Sequence, residues 1–451
     1  MTAKALPSQA RVVIVGGGII GCSVAYHLAH MGCTDVVLLE RDRLTSGTTW
    51  HAAGMVVTFG STSETSTWMR TYTRDLYTRL EQETGVSTGF RPVGFIELAS
   101  DDDRLEEFRR TAAFDRHCGV DVHEISPREV AERFPLARVD DIRAGFYVPQ
   151  DGRANPVDVT MSLAKGARLR GVTVLEGVAV TGVTTRRGAV TGVTTDRGEI
   201  ACEVVVNCAG MWARQLGERS GVSIPLQAAE HYYLITEAIE GLGADTPIIE
   251  DPGCYGYYRE EVGGLMIGLF EPVCAPWKVG GVPADFSFGE LEPDWDRMLP
   301  YVEKAMSRVP CSVDAGVKKF FCGPESFTPD LSPLVGEAPE LRNYFVAAGL
   351  NSIGIITGGG LGKVLAHWIL HGRPEVDVSC INVDRLHPYQ ANPEYRRTRT
   401  VESLGLVYQC HYPTRSMTTA RNAKRSALHE RLAALHERVA ASERRGEPVD
   451  G

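Results

Sequence analysis

Two stretches near the start of the chain carry residue types that could do chemistry. In Gly16-Gly17-Gly18-Ile19-Ile20-Gly21, Gly16 allows a tight turn, Gly18 lets backbone approach a pyrophosphate, and Gly21 lets a helix lie close on the preceding strand. The helix that opens there, with Ile19 in its first turn, offers unpaired N–H groups and partial positive charge to phosphate oxygens. Glu40, nineteen residues after Gly21, is placed to accept hydrogen bonds from an adenosine ribose, and Arg41 follows it. The second stretch, Ser46-Gly47-Thr48-Thr49-Trp50-His51-Ala52-Ala53-Gly54, comes directly after this unit. It carries His51, and a lone histidine in a loop reads as a hydrogen-bonding residue.

The elements that must hold these residues follow from periodicity. The apolar run Arg11 to Val15, a helical pattern to about Gly32 and the run Val36 to Leu39 form a βαβ unit closed by Glu40. Strand, helix, second strand and acidic terminus fall at the distances of a dinucleotide site, although the unit alone does not separate NAD from FAD. Thr67 to Thr84 reads as a helix with Met69, Tyr72, Leu76 and Leu80 on one face, Val93 to Leu98 as a strand, and Asp101 onward as a charged helix. Gly145 to Arg153 reads as a strand and turn that lead into another helix. Strands at 172–175, 178–180 and 190–195 precede Val204-Val205-Val206, which runs into the small-residue turn Asn207-Cys208-Ala209-Gly210-Met211-Trp212. A β-rich section, about 226–320, carries His231-Tyr232-Tyr233 and Tyr255-Gly256-Tyr257-Tyr258-Arg259-Glu260-Glu261.

Last comes the strand Tyr344 to Gly349 and a helix from Ile353 to His371, ended by Gly372. Gly358, Gly359 and Gly360 near that helix start are costly in backbone entropy unless backbone must approach something closely. The electron-rich carbonyl region of a flavin ring is the expected neighbour, since a helix N-terminus favours negative charge. The expected organisation is a discontinuous dinucleotide-cofactor domain at 8–90, 145–225 and 322–375, with a substrate domain at 91–144 and 226–321. Residues 376–451 form a C-terminal extension. There Ala427-Leu428-His429-Glu430-Arg431-Leu432-Ala433 is echoed by Ala434-Leu435-His436-Glu437-Arg438-Val439-Ala440, one short apolar stripe that predicts a surface helix.

Composition narrows the class. The 451 residues suit two or three domains, and a formal charge of −10 provides no basic patch for nucleic acid. No apolar run approaches the roughly 20 residues of a membrane span, and Met1 to Ala10 lacks a signal-peptide core. Eleven scattered cysteines without a CxxC pair predict neither a metal cluster nor a disulfide framework. A reducing, cytoplasmic setting is expected.

The assembled residues resemble the flavin half of the dimethylglycine and sarcosine dehydrogenases and oxidases, within the D-amino-acid-oxidase-like flavoproteins. The resemblance runs from about residue 10 to about 428. It rests on the glycine turn, on Thr48 to Gly54, and on Asp151-Gly152-Arg153-Ala154-Asn155-Pro156 and Glu230-His231-Tyr232-Tyr233. Tyr257 to Glu261, Gly323-Pro324-Glu325-Ser326-Phe327-Thr328-Pro329-Asp330 and Arg421 to Ser426 complete it. It implies an α/β fold: a discontinuous Rossmann-like FAD domain plus a β-rich, mixed-sheet substrate domain. It also implies FAD held covalently by His51 through the flavin 8α-methyl group, Val180 against the adenine, and Gly210 with Trp212 against the dinucleotide. Gly354, Gly358 and Gly359 would lie near the pyrimidine edge of the flavin, with Thr48, Thr49 and Gly54 also on the cofactor.

The implied reaction is oxidative N-demethylation of a small N-methylated amino acid, with hydride loss from the N-methyl carbon. The amine must react as its free base, because a protonated nitrogen has no lone pair. His231 matches the family's active-site histidine and Tyr257, or its neighbour Tyr258, the tyrosine. Adjacent strand residues point to opposite faces, so only one of the two enters the pocket, and Tyr257 is the expectation. Arg259 is the candidate partner of a substrate carboxylate, with Lys278, Lys318 and Lys319 also in the region; Glu260 and Glu261 read as exposed strand-end charges. Oxygen or an electron-transferring flavoprotein would take the electrons. The folate-binding domain found in many members is expected to be absent, which leaves a separate folate-binding subunit, free formaldehyde, or a truncated relic as the alternatives. The alternatives are a glycine- or D-amino-acid-oxidase-like attack on a Cα–H bond, or a non-catalytic regulatory relative.

Overall fold

The structure is a computed structural model, and it describes residues 5–411 and 416–445. It divides into two compact units, Met1–Ser416 and Met417–Gly451. The first unit is built on two large sheets. An eight-stranded sheet runs in the order Leu334–Glu337, Tyr344–Ala348, Gly198–Asn207, Gln9–Val15, Val36–Leu39, Thr173–Leu175, and the hairpin Val180–Arg186/Ala189–Thr195 continues from Gly198–Asn207. Its centre is parallel: Gln9–Val15 pairs with both Val36–Leu39 and Gly198–Asn207. The near-continuous apolar runs of these strands are what a sheet covered on both faces requires.

Helix Ile19–His30 lies on this sheet with eleven of its twelve residues buried, since helices Glu64–Thr84, Pro156–Leu169 and Gly354–His371 cover its other sides. Glycine makes that layer possible. A β-carbon on Gly360 would fall 2.5 Å from Met69 Cα, and one on Gly362 would fall 2.2 Å from Ser23 Oγ. Gly358 and Gly359 likewise face Ile19 and Leu76 across the helix seams. These glycines let three helices approach closely, which corrects the expectation that Gly358 and Gly359 touch a cofactor.

The second, nine-stranded sheet is mixed. Its order is Pro276–Trp277, Gln227–Ala238, Gly264–Leu269, Gly256–Glu261, Ile248–Asp251, Phe95–Ala99, Ala144–Val148, His123–Ile125, and Val317–Phe327 pairs along Gln227–Ala238. Strand Ala144–Val148 belongs to this sheet, and Val317–Phe327 crosses position 322, so the domain changeovers fall beside strands and not at the expected positions. One face of the sheet packs Tyr232, Tyr258 and Ile267 against Met298 and Val302 of helix Trp295–Met306. The other face looks toward the first sheet and carries the site.

Several motif residues serve the fold. The buried Asp151 accepts the Thr58 N–H at 2.6 Å and its hydroxyl at 2.8 Å. Asn155 caps helix Pro156–Leu169 through the N–H groups of Val157 and Asp158. Arg153 pairs with Glu260, which is buried, contrary to its reading as an exposed charge. Asp330 accepts two parallel bonds from the Arg385 guanidinium, from Nε at 2.7 Å and from Nη2 at 2.8 Å. In the second unit, helix His429–Arg445 forms as expected, with Leu428, Leu432 and Leu435 exposed. Among the described residues no helix is long and apolar enough to cross a membrane.

Candidate functional site

A groove of about 340 Å³ opens at the C-terminal end of strand Gln9–Val15, where the glycine turn meets helix Ile19–His30. Gly16, at φ +111°, sits where a β-carbon would lie 2.4 Å from Cys208 O, and a β-carbon on Gly21 would lie 1.9 Å from Gly16 O. The turn therefore has no room for a side chain at either glycine, and the Gly16 N–H is taken by Leu39 O at 2.9 Å. Thr49 Oγ1 accepts the Ile19 N–H at 3.1 Å, which fixes the Thr48–His51 turn to the helix start. Glu40 accepts the N–H of Gly17 at 2.7 Å and of Asp42 at 2.9 Å. Burial raises its carboxyl above the usual range, offset in part by these bonds.

Gly16, Gly18, Ile19, Glu40, Arg41, Thr48, Thr49, Val180, Gly210, Trp212 and Gly354 all line this groove. The Arg41 guanidinium stacks 3.7 Å over the Trp212 ring and donates to Phe286 O at 2.9 Å. Gly21 stands behind the turn as a packing residue. A β-carbon-free cradle at a helix N-terminus, with a carboxylate at the end of the second strand, suits a dinucleotide carrying a pyrophosphate and a ribose.

A second cavity, about 370 Å³, adjoins the first; Ala52, Glu325, Ser352 and Ile355 line both. His51, Gly54, His231 and Tyr257 line the second. His51 is held between rings, 5.4 Å from Trp50 and 5.2 Å from Phe321, over the hydrogen-only face of Gly323. Burial, with the nearby His231 as the next cause, pushes its imidazole down to about 3, so it is neutral at pH 7. His231 is buried beside Phe270, its Nδ1 has no partner, and burial pushes it down to about 4.

Sheet register explains the convergence. Phe146, Glu97, Glu250, Tyr257, Gly268, Tyr233 and Phe321 are successive partners across six strand pairings, so their side chains share one face. Gly268 leaves the space that the Tyr257 ring fills: a β-carbon there would lie 1.7 Å from Tyr257 Cζ. Tyr258 points the other way, into the core, where its hydroxyl donates to Ala305 O at 2.8 Å. It is removed from the catalytic candidates for that reason. Arg259 is not among the cavity residues; its guanidinium is engaged by Glu261 at 2.5 Å. The arginines that do line the cavity are Arg70 and Arg104.

Sequence reasoning missed Arg70, Glu97, Glu250, Tyr408 and the role of Glu325. Only strand register could have found the two glutamates, by aligning them with Tyr257. Glu325 stands at the junction of groove and cavity, and burial raises its carboxyl to about 7 against a hydrogen bond from Ser352. Between about pH 4.5 and 7 the native state thus keeps a proton that the unfolded chain has released, so stability falls as pH rises through that window. The difference is worth on the order of 3 kcal/mol. Glu325→Gln should remove this slope in urea-unfolding curves taken from pH 4.5 to 8. Parallel curves for the two proteins would refute it.

The model of the FAD dependent oxidoreductase (DAO) family matches residues 11–368, and that of the FAD dependent oxidoreductase central domain matches residues 371–426. Over 434 residues the chain is 41% identical to the mitochondrial sarcosine dehydrogenase of Mus musculus, covering 95% of this chain and 47% of that protein. Over 431 residues it is 40% identical to the mitochondrial pyruvate dehydrogenase phosphatase regulatory subunit of Mus musculus, covering 95% and 49%. The chain spans about half the length of these curated relatives. The solved L-proline dehydrogenase from P. horikoshii matches with a TM-score of 0.75 at 25% identity, covering 84% of this chain and 98% of that one. With a family model that spans most of the chain and the whole groove, the chain belongs to the FAD dependent oxidoreductase (DAO) family, and FAD is the dinucleotide its groove is shaped to hold.

Proposed function

We propose that the protein catalyses oxidative N-demethylation of a small N-methylated amino acid, with FAD attached covalently to His51. The observation that carries this reading is the meeting of a neutral buried imidazole, His51, with His231 and Tyr257 in one cavity that opens onto the dinucleotide groove. The 41% identity to a sarcosine dehydrogenase supports the substrate class.

Bound FAD would supply the hydride acceptor. The protein's own part is to bind, orient and desolvate. Phe270, Phe321, Val57 and Met55 form an apolar part of the cavity wall, beside which the free amine is favoured over the ammonium. His231, uncharged, keeps Nδ1 available to a substrate hydrogen bond. The Tyr257 hydroxyl is held protonated by burial and can donate one. Loss of hydride from the N-methyl carbon leaves an iminium, which water hydrolyses to formaldehyde and the demethylated amine.

The test is anaerobic mixing of the yellow protein with sarcosine, dimethylglycine and 4-methylaminobutanoate, followed by admission of air. Bleaching with one of them, and one formaldehyde per flavin reduced, is the expected result; fast recovery in air would mark oxygen as the acceptor. Bleaching only by glycine or D-amino acids would overturn the reading in favour of Cα–H oxidation. The 40% identity to a regulatory subunit favours a second, non-catalytic reading. A protein purified without flavin, and colourless after incubation with FAD, would support it.

A further inference from the structure

The cavity holds a pair of acids that the hydride step leaves unused. Glu97 and Glu250 are direct partners across two parallel strands, and Glu250 is the direct partner of Tyr257 on the next strand. All three line the cavity. Side chains opposite one another in a ladder stand about 5 Å apart, so the two carboxyls are neighbours and the pair adjoins the tyrosine. Glu97 is buried. Two carboxylates this close cannot both ionise easily, and one proton is retained between them.

Resting on the N-demethylation reading, we propose that the Glu97–Glu250 pair receives the proton that the substrate ammonium must shed before its N-methyl hydride leaves. An aliphatic amine reaches the protein from neutral water as its ammonium form, since such groups titrate near 10. In the step proposed, the substrate N–H bond breaks and its electron pair stays on nitrogen. The proton passes to a carboxylate oxygen of the pair, whose charge goes from −1 to 0. The freed lone pair then assists hydride loss to the flavin, and the proton leaves to solvent after the iminium departs.

Burial is the first cause that holds both carboxyls above the usual range, with the charge of Glu250 second for Glu97. The groups facing the pair come from every element around it. Arg104 faces Glu97 from helix Asp102–His117, and Arg70 faces Glu250 from helix Glu64–Thr84. Tyr408 faces both from beyond helix Pro393–Leu406. Asp251, next along the strand, is bound by Arg308 at 2.6 Å. Asp115 and Asp151 also act on Arg70, so its charge is shared among four carboxyl groups. One shared proton leaves the two carboxyls a single negative charge between them, so the pair has one carboxylate left to take a proton.

The experiment is stopped-flow flavin reduction by sarcosine and dimethylglycine as probes, across pH, in wild type, Glu97→Gln and Glu250→Gln. Each Gln variant should bleach about tenfold or more slowly at pH 7. Near pH 10, where free amine arrives from solution, it should return to within about twofold of wild type. Glu250→Asp, which keeps an acid, should restore part of the neutral-pH rate and covers the case of a Gln variant that fails to fold. Infrared difference spectra of the flavin-loaded protein give a readout apart from turnover: a protonated-carboxyl band at neutral pH in wild type, lost in either Gln variant. A loss equal at all pH values, no loss at pH 7, or no such band overturns the proposal. If no N-methylated probe bleaches wild type, the demethylation reading fails and the proposal with it. If wild type bleaches and the variants keep its pH profile, only the proposal fails.

Discussion

Acid precipitation of the purified protein should carry the yellow chromophore into the pellet, and His51→Ala should send it to the supernatant. The expectation is all-or-none because it reports a covalent bond. Three features prepare His51 to form that bond. Its imidazole is neutral across the physiological range, since burial has pushed it to about 3, and only the neutral ring has a nucleophilic lone pair. Its position is fixed by Trp50 and Phe321 on either side and by the Thr49 hydroxyl two residues earlier, which caps the phosphate-binding helix. The ring lies where a β-carbon on residue 323 would come within 2.8 Å of its Cε1, so the opposite strand has made room for it. On the proposed reading, the turn that would hold the cofactor's phosphates would also set the histidine that bonds its flavin ring. His51→Ala should still bind FAD through the groove, but release it on denaturation, and reduction by amine should slow because the electron-withdrawing imidazole link is gone. Flavin released from the wild type by acid would sink the linkage, and peptide mass mapping to another residue would relocate it.

How much of this was legible in the sequence follows from the range of each interaction. One wall of the groove is built within the first 52 residues: the glycine turn, Glu40 at the end of the next strand, and Thr49 back to Ile19. Spacing alone carries such contacts, and most expected groove residues line it. Glycines were legible as close approaches but not as to what approaches. Gly358 and Gly359 meet two helices, and only tertiary packing distinguishes a helix seam from a ligand. The cavity depends on strand order, which joins residue 97 to 250 and 233 to 321. Period-2 alternation correctly separated Tyr257 from Tyr258, because it is a local rule. It gave no hint that Glu97 and Glu250 share the rung of Tyr257. Arg259 is paired with Glu261, two residues on along the same strand face, a local contact the sequence did contain.

Gly268→Ala should cost as much activity as removing the Tyr257 ring, although residue 268 has no side chain to offer a substrate. The tyrosine ring crosses the neighbouring strand and lies flat over Gly268, with Cζ, Cε1 and the hydroxyl all within 2.2 Å of where a β-carbon would be. No rotamer adjustment of a few tenths of an ångström relieves that overlap, so the ring must leave its place. Its way is blocked on one side by Phe270, at 6.1 Å, and behind that by Tyr408, whose ring is 4.3 Å from Phe270. The displaced ring therefore moves into the cavity and occupies substrate space. The stability cost of such overpacking is about 1–3 kcal/mol, so the variant should fold and keep its flavin colour. The rate of flavin reduction by an N-methylated amine should fall about 100-fold or more, the scale of a lost acid–base or hydrogen-bonding group. Tyr257→Ala removes the obstacle as well as the hydroxyl. In that background Gly268→Ala should add little, and the non-additivity is the diagnostic, since two independent lesions would multiply. Equal effects of Gly268→Ala with and without the Tyr257 ring would show that the glycine serves the strand and not the tyrosine.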